Sequence, residues 1–358
     1  MPHHAGKHAG GQAHEQVGFI GLGNMGSKMS SNLSTWLHEN SYPPLLLWNR
    51  TASKLPAESD SIAHAASIKE LAEKCDVVIT SLSNDEVAQE VYGQLFEGVK
   101  SKQEKGAKGN TYFVESSTLY PLTAGELERQ ASHIPRTFYL QSPVFGPPPV
   151  AADAKLVWVL SGDHNAKKAV TKLLVPSMGR KVIDVGSNVE RASAFKLNGN
   201  MLILGIIEIL AESMTLADKS GVGSNLLMEF IKEFLPASSF IGYGSKITSN
   251  NFAGETGFTV EGGLKDANHI RHLAASVDAT IPTIDVAHRH LITSRANGGN
   301  DLDWSSLVAG PRLAAGLLPF KGVKDSPRDT GFGSRTDEEA DEGTVPVPDG
   351  GIKHVQNF

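Results

Sequence analysis

Val17-Gly18-Phe19-Ile20-Gly21-Leu22-Gly23-Asn24-Met25-Gly26 is the stretch on which the reading of this chain turns. A short apolar run enters a G-x-G-x-x-G turn, and residues 27–37 continue as a helix-compatible segment. Gly21 permits a tight turn, Gly23 lets a pyrophosphate approach the backbone with no Cβ in the way, and Gly26 lets the new helix lie close on the strand. Free N–H groups and the positive end of the helix dipole favour an anion there. In a chain with 36 glycines the motif alone says little. Its setting says more, because a second apolar run follows at Leu45-Leu46-Leu47-Trp48. The stretch reads as a dinucleotide site, with Gly21, Leu22, Gly23, Asn24, Met25 and Gly26 around the phosphates.

The 358 residues suit two domains with tails, and 40% apolar with 20% charged residues fits a globular protein with a sizeable core. A net charge of −6 without a basic patch argues against nucleic acid or an anionic membrane as partner. The single cysteine, Cys75, excludes an internal disulfide and suits a reducing compartment, so a cytoplasmic location is expected. No hydrophobic run reads as a membrane span; the best, Met201 to Leu210, is short and holds Gly205 and Glu208. The N-terminus lacks the apolar core of a secretory signal and the arginines of a transit peptide.

Residues 1–15, with His3, His4, His8 and His14, read as a disordered leader rather than a metal tract, and no metal site is expected. Residues 16–185 alternate apolar strands with helical segments, the pattern of a doubly wound sheet. Strands are expected at 17–20, 45–48, 77–80, 112–114, 138–140 and 156–160, and helices around 67–74, 84–94 and 121–132. From about Gly186 the texture changes. Residues 189–220 have no proline and are mostly apolar, as in a long helix buried on most faces. Helices at about 225–234, 262–277 and 281–297 complete an all-helical second domain over 186–320. Residues 321–358, with the acidic run Asp337-Glu338-Glu339, read as a disordered tail.

In NAD-binding units an Asp or Glu after the second strand accepts hydrogen bonds from the ribose hydroxyls. Here the residues are Asn49-Arg50-Thr51. Neutral Asn49 cannot repel a 2′-phosphate, and Arg50 offers it a planar fork of donors, with Thr51 and Lys54 nearby. NADP is therefore expected over NAD. Lys196 and Asn200 stand at i and i+4, on one helix face. Between Phe195 and Leu197, Lys196 is not an ordinary surface charge. Desolvation would bring its pKa toward neutrality. On pattern alone a structural lysine with a buried stem is an equal alternative.

Together these motifs, with Ser116-Ser117-Thr118 and in this order, resemble the β-hydroxyacid dehydrogenase family, which includes 3-hydroxyisobutyrate and 6-phosphogluconate dehydrogenases. The resemblance covers about residues 16–318. It implies a lysine general acid/base at Lys196 and a substrate-positioning amide at Asn200. It also implies cofactor contacts from Leu82, Ser83, Asn84, Thr118 and the late Lys265-Asp266 pair. Two departures stand out. Where the family's substrate loop reads about Asp-Ala-Pro-Val-Ser-Gly-Gly, this chain has Gln141-Ser142-Pro143-Val144-Phe145-Gly146-Pro147. Phe145 thus takes the place of the serine that holds the substrate carboxylate, and Pro147 to Pro149 stiffen the loop. Ser142, Phe145 and Gly146 are the expected substrate-side residues, with Ser142 a partial replacement donor. The family's Gly-x-Gly before the lysine helix is Glu190-Arg191-Ala192.

The expectation is a Rossmann-type α/β domain followed by an all-α domain, with the active site in the cleft and a homo-oligomeric assembly. The expected activity is NADP-dependent interconversion of an alcohol or hydroxy acid and its carbonyl form, with a small-molecule substrate. A non-catalytic dinucleotide-binding module and an imine-reductase-like enzyme are the alternatives. The Phe145 loop disfavours small hydroxy acids and suits a larger or less charged carbonyl compound.

Overall fold

A computed structural model of the chain describes residues 14–253 and 257–320. Four consecutive buried residues form β1 (Val17–Ile20), which has no polar face. A run of that kind suits a strand covered on both sides. β2 (Leu45–Trp48), β4 (Val77–Thr80), β5 (Thr111–Glu115) and β6 (Thr137–Gln141) are nearly as buried, and half-buried β3 (Ile62–His64) closes one edge. All six pair in parallel in the order β3-β2-β1-β4-β5-β6. That order reverses between β1 and β4, which opens a crevice above their carboxyl ends.

Helices α1 (Gly26–Glu39), α2 (Ile68–Lys74), α3 (Asp85–Glu104) and α4 (Pro121–Ser132) flank the sheet. The pleat sends alternate residues to opposite cores. Phe19, Leu47 and Ile79 meet Met29, Leu33 and Leu37 of α1. Ile20, Leu46 and Val78 meet Leu71 of α2 and Tyr92 and Leu95 of α3.

The strand expected at 156–160 exists but belongs elsewhere. β8 (Leu156–Leu160) lies in a separate three-stranded sheet between β7 (Val144–Phe145) and β9 (Gly179–Asp184). The chain turns at Ser142-Pro143 after β6, so β7 runs antiparallel to β8 instead of extending the large sheet. The three prolines are not a stiff loop. Pro147 is the N-cap of α5 (Pro148–Ala152) and Pro148 and Pro149 form its first turn, where a missing N–H costs nothing. α6 (His164–Leu174) then leads to β9.

From residue 190 the described chain is helical: α7 (Glu190–Lys219), α8 (Ser224–Phe234), α9 (Ser238–Ser249), α10 (Val260–Ser276), α11 (Pro282–Ser294) and α12 (Ala309–Ala314). α11 stops short of Asn297, because a π turn over Arg295–Gly299 contains Gly298 at φ 87°. Contrary to the sequence expectation, α7 is long and apolar enough to cross a membrane by length and composition, with a mean hydropathy of 1.6 over its most apolar 18 residues. Half of that stretch is nevertheless buried inside the protein. Leu204, Ile207, Leu210 and Met214 of α7 pack with Leu264 and Ile270 of α10 and with Ile284 and Leu291 of α11. The expected leader also ends sooner than residue 15: His14 stacks on Tyr42 at 4.2 Å, and Glu15 pairs with Lys172 at 3.1 Å. The rest of that leader and the expected tail lie outside the described residues.

Candidate functional site

The glycine turn sits at the switch point between β1 and β4. Gly21 has φ +98°, and a Cβ there would lie 2.1 Å from the Ser81 carbonyl oxygen. A Cβ on Gly26 would lie 1.9 Å from the Gly21 oxygen. Both glycines are therefore required by the packing of the turn itself. Gly23 differs: nothing lies within 4 Å of its Cβ position. It faces open space, as a backbone that receives a ligand must. α1 has no side-chain cap, and the N–H groups of Asn24 and Met25 have no acceptor among the described residues. These free donors beside an open glycine fit a dinucleotide pyrophosphate.

Asn49 locks this turn from the next strand. Its Oδ1 accepts from Leu22 N at 2.8 Å and its Nδ2 donates to the Thr51 carbonyl at 2.8 Å. The Asn49 amide thus holds loops together instead of facing a ribose. Arg50, Thr51 and Lys54 stand exposed beside it.

Below the cofactor loops lies a buried polar network. Glu115, at the end of β5, is fully buried and accepts from Ser117 N at 2.6 Å and from the Thr80 hydroxyl at 2.8 Å. Burial pushes its carboxyl up to about 7, although the Ser117 and Thr80 donors pull the other way. Ser117 Oγ accepts from Leu82 N at 2.6 Å, and the Ser117 carbonyl accepts from Gln141 Nε2 at 3.1 Å. The loops after β4, β5 and β6 are therefore tied in one hydrogen-bonded layer. Asn84 caps α3 by accepting from Val87 N at 2.9 Å.

α10 joins the two halves of the molecule. Lys265 Nζ donates to the Thr118 carbonyl at 2.6 Å and lies 3.0 Å from Asp266 Oδ1. Asp266, completely buried, accepts from Asn200 Nδ2 at 2.5 Å and so orients that amide. One turn on, His269 Nε2 meets Asp85 Oδ2 at 2.8 Å, and His272 stacks on Tyr120 at 4.3 Å. Burial alone would raise the Asp85 carboxyl, but His269, Thr123 and the Tyr120 N–H hold it down at about 2.

Lys196 is partly buried on α7, one turn before Asn200. Desolvation lowers its ammonium to about 8; Asp266 opposes the shift and Lys265 adds to it. Its Nζ lies 4.3 Å from the centre of the Phe145 ring. That ring rests on Gly199, where a Cβ would come within 2.3 Å of Phe145 Cζ. Phe195 meets Phe145 edge-on at 6.2 Å. Gly146, with φ +133°, follows directly.

Residues 16–186 match the family model described as the NAD binding domain of 6-phosphogluconate dehydrogenase. Residues 191–310 match the one described as NAD-binding of NADP-dependent 3-hydroxyisobutyrate dehydrogenase. The chain is 30% identical over 298 residues to the uncharacterized oxidoreductase YfjR of Bacillus subtilis, covering 82% of this chain and 98% of that one. The chain belongs to the β-hydroxyacid dehydrogenase family. This family member is an NAD(P)-dependent oxidoreductase acting on CH–OH groups. It is also 27% identical to the NADH-dependent oxidoreductase ucdB of Aspergillus ustus, over 84% of this chain and all of that one. Its fold is similar to that of Mycobacterium tuberculosis 3-hydroxyisobutyrate dehydrogenase with L-serine, with TM-score 0.69, 25% identity, and 83% and 99% of the two chains covered.

Within this β-hydroxyacid dehydrogenase, tertiary structure brings Thr118, Phe145, Lys196, Asn200, Lys265 and Asp266 together through the contacts above. Ser142 is a correction. It is completely buried, its hydroxyl donates to the Leu140 carbonyl at 3.4 Å, and it faces the core rather than a substrate. The cause is the sharp turn after β6, where Ser142 N also donates to the Glu115 carbonyl. In the segment before Lys196, Glu190 lies against Gly125 of α4, Ala192 is buried, and Arg191 stands exposed beside Gly186. Sequence reasoning missed Glu115, Asp85 and His269. An acid ending an apolar strand was a usable signal for Glu115. Nothing links Asp85 to a histidine 184 residues away until the chain folds.

Proposed function

We propose that this enzyme interconverts an alcohol or hydroxy acid and its carbonyl form with NADP(H), using Lys196 as general acid/base. The observation that carries the reading is the Lys196 ammonium, desolvated to about 8 beside an Asn200 amide fixed by Asp266. A group poised there can both give and take a proton near neutrality. Bound NADP(H) supplies or accepts the hydride at its nicotinamide. In oxidation neutral Lys196 takes the hydroxyl proton; in reduction the ammonium gives a proton to the carbonyl oxygen. Asn200 holds that oxygen in place, and Lys265 fixes the loop after β5, at Thr118, against α10.

Exposed Arg50 and Lys54 support NADP over NAD, although a relative is named NADH-dependent. Fluorescence titration with NADPH and NADH tests that preference, and equal affinities would end it. The pH profile tests the lysine. Oxidation needs the neutral amine, so its rate should rise as pH passes about 8; reduction needs the ammonium, so its rate should fall there. Profiles flat across that range in both directions would remove Lys196 from the chemistry.

The assembly is proposed to be a homo-oligomer. Leu202, Ile209 and Leu216 recur every seventh residue along α7 and are 71%, 51% and 69% exposed, with Phe230 and Phe234 exposed on α8. Exposed apolar side chains repeating along one helix face support an interface with a second copy. Sedimentation as a monomer at micromolar concentration would exclude it.

A further inference from the structure

We propose that the natural substrate is an uncharged carbonyl compound or alcohol carrying an apolar or aromatic group beside the reacting carbon, seated on Phe145 and Phe195. This rests on the proton-transfer reading of Lys196 and adds the substrate's chemical class. Phe145 is not a side chain that happens to lie near the lysine. Its ring occupies the volume that a side chain at residue 199 would fill, and only glycine there admits it. The ring is thereby fixed against α7 between Lys196 and Asn200, the two polar groups that the reaction uses. Lys196 Nζ lies 4.3 Å from the centre of its face, so a phenyl surface stands directly beside the ammonium. Phe195 extends this surface outward, edge-on to Phe145 and 41% exposed.

Three groups from which a carboxylate could draw donors here lack them or are committed elsewhere. Ser142 faces the core, Pro147 has no N–H, and Lys265 is bound to the Thr118 carbonyl and Asp266. A buried carboxylate without partners is strongly disfavoured, whereas an aryl or alkyl group gains by covering the rings. Lys196 itself cannot serve as the anchor, because its proton goes to the substrate oxygen during reduction while hydride goes to the carbonyl carbon. The products are then the alcohol, NADP and a neutral lysine that regains its proton from water.

The test is steady-state NADPH oxidation by the full chain with two sets of aldehydes and ketones. One set is uncharged, such as phenylacetaldehyde and cyclohexanone; the other bears a carboxylate, such as glyoxylate and succinic semialdehyde. The uncharged set should have the higher kcat/KM. Phe145→Ser should lower kcat/KM for uncharged aryl substrates by about tenfold, the scale of a lost aromatic contact, and narrow the gap to the carboxylates. Phe195→Ala, at a more exposed position, should lower it less, and NADPH affinity should stay unchanged in both variants. Higher kcat/KM on the carboxylates by the unaltered enzyme would overturn the substrate class while leaving the role of Lys196 standing. NADPH binding with no turnover of either set would overturn the proton-transfer reading and this inference together.

Discussion

The cofactor turn is made from six consecutive residues, Gly21 to Gly26, whereas the group around Lys196 draws on residues 118, 145, 196, 199, 200, 265 and 266. The first works through backbone N–H groups and neutral amides, so it carries little that titrates. The second sets a lysine, a second lysine and a buried aspartate against one another, so its chemistry depends on pH. A contiguous turn can be recognised one residue at a time. An assembled one acquires its properties only when distant segments desolvate each other.

The sharpest way to break this comparison is Lys196→Ala. Turnover should fall by on the order of 10² to 10⁴, as for loss of a positioned general acid/base, while NADPH affinity stays nearly unchanged. Fluorescence titration and steady-state rates on the same preparation measure both. A variant with normal turnover would make the lysine structural. Arg50→Ala probes the other half: it should erode the NADP over NAD preference by about 1.5–3 kcal/mol, the range for a charge-assisted hydrogen bond, and leave kcat with saturating cofactor unaltered. A preference that survives would move the discrimination away from the loop after β2. The smallest effect is expected from Asp266→Asn. The Asp266 carboxylate raises the Lys196 pKa, so its loss should move the midpoint of the pH profile below about 8. A midpoint displaced upward would contradict the electrostatic account.

Legibility followed the number of partners that a residue needs. β1, β2, β4 and β8 were readable to the residue because each is a short, almost wholly apolar run without a charged residue. β9 was not, since Arg180 and Lys181 are exposed on it and interrupt the apolar signal. α6 packs Ala166, Val170, Leu173 and Leu174 inward, but a short amphipathic segment among lysines has a weak outline in sequence. At the site, the substitution of Phe145 for a donor was visible against the family pattern. Its seat on Gly199 was not, because nothing in the spacing of residues 145 and 199 shows that one fills the space left by the other. Ser142 was misassigned for a similar reason: a turn decides which way a hydroxyl points, and composition does not.

By itself the sequence determined the parallel sheet, the glycine turn at its switch point, the change to helices after residue 186 and the identity of Lys196 and Asn200 as a pair on one face. These follow from local rules, namely apolar periodicity, glycine sterics and helix spacing. Only the tertiary structure decided that Asn49 and Ser117 hold the loops, that Asp266 orients Asn200, that Ser142 is lost to the core and that Phe145 covers the Lys196 ammonium. Hydrogen-bond partners and desolvation are properties of the space between segments, and that space does not exist until the sheet and the helices have packed.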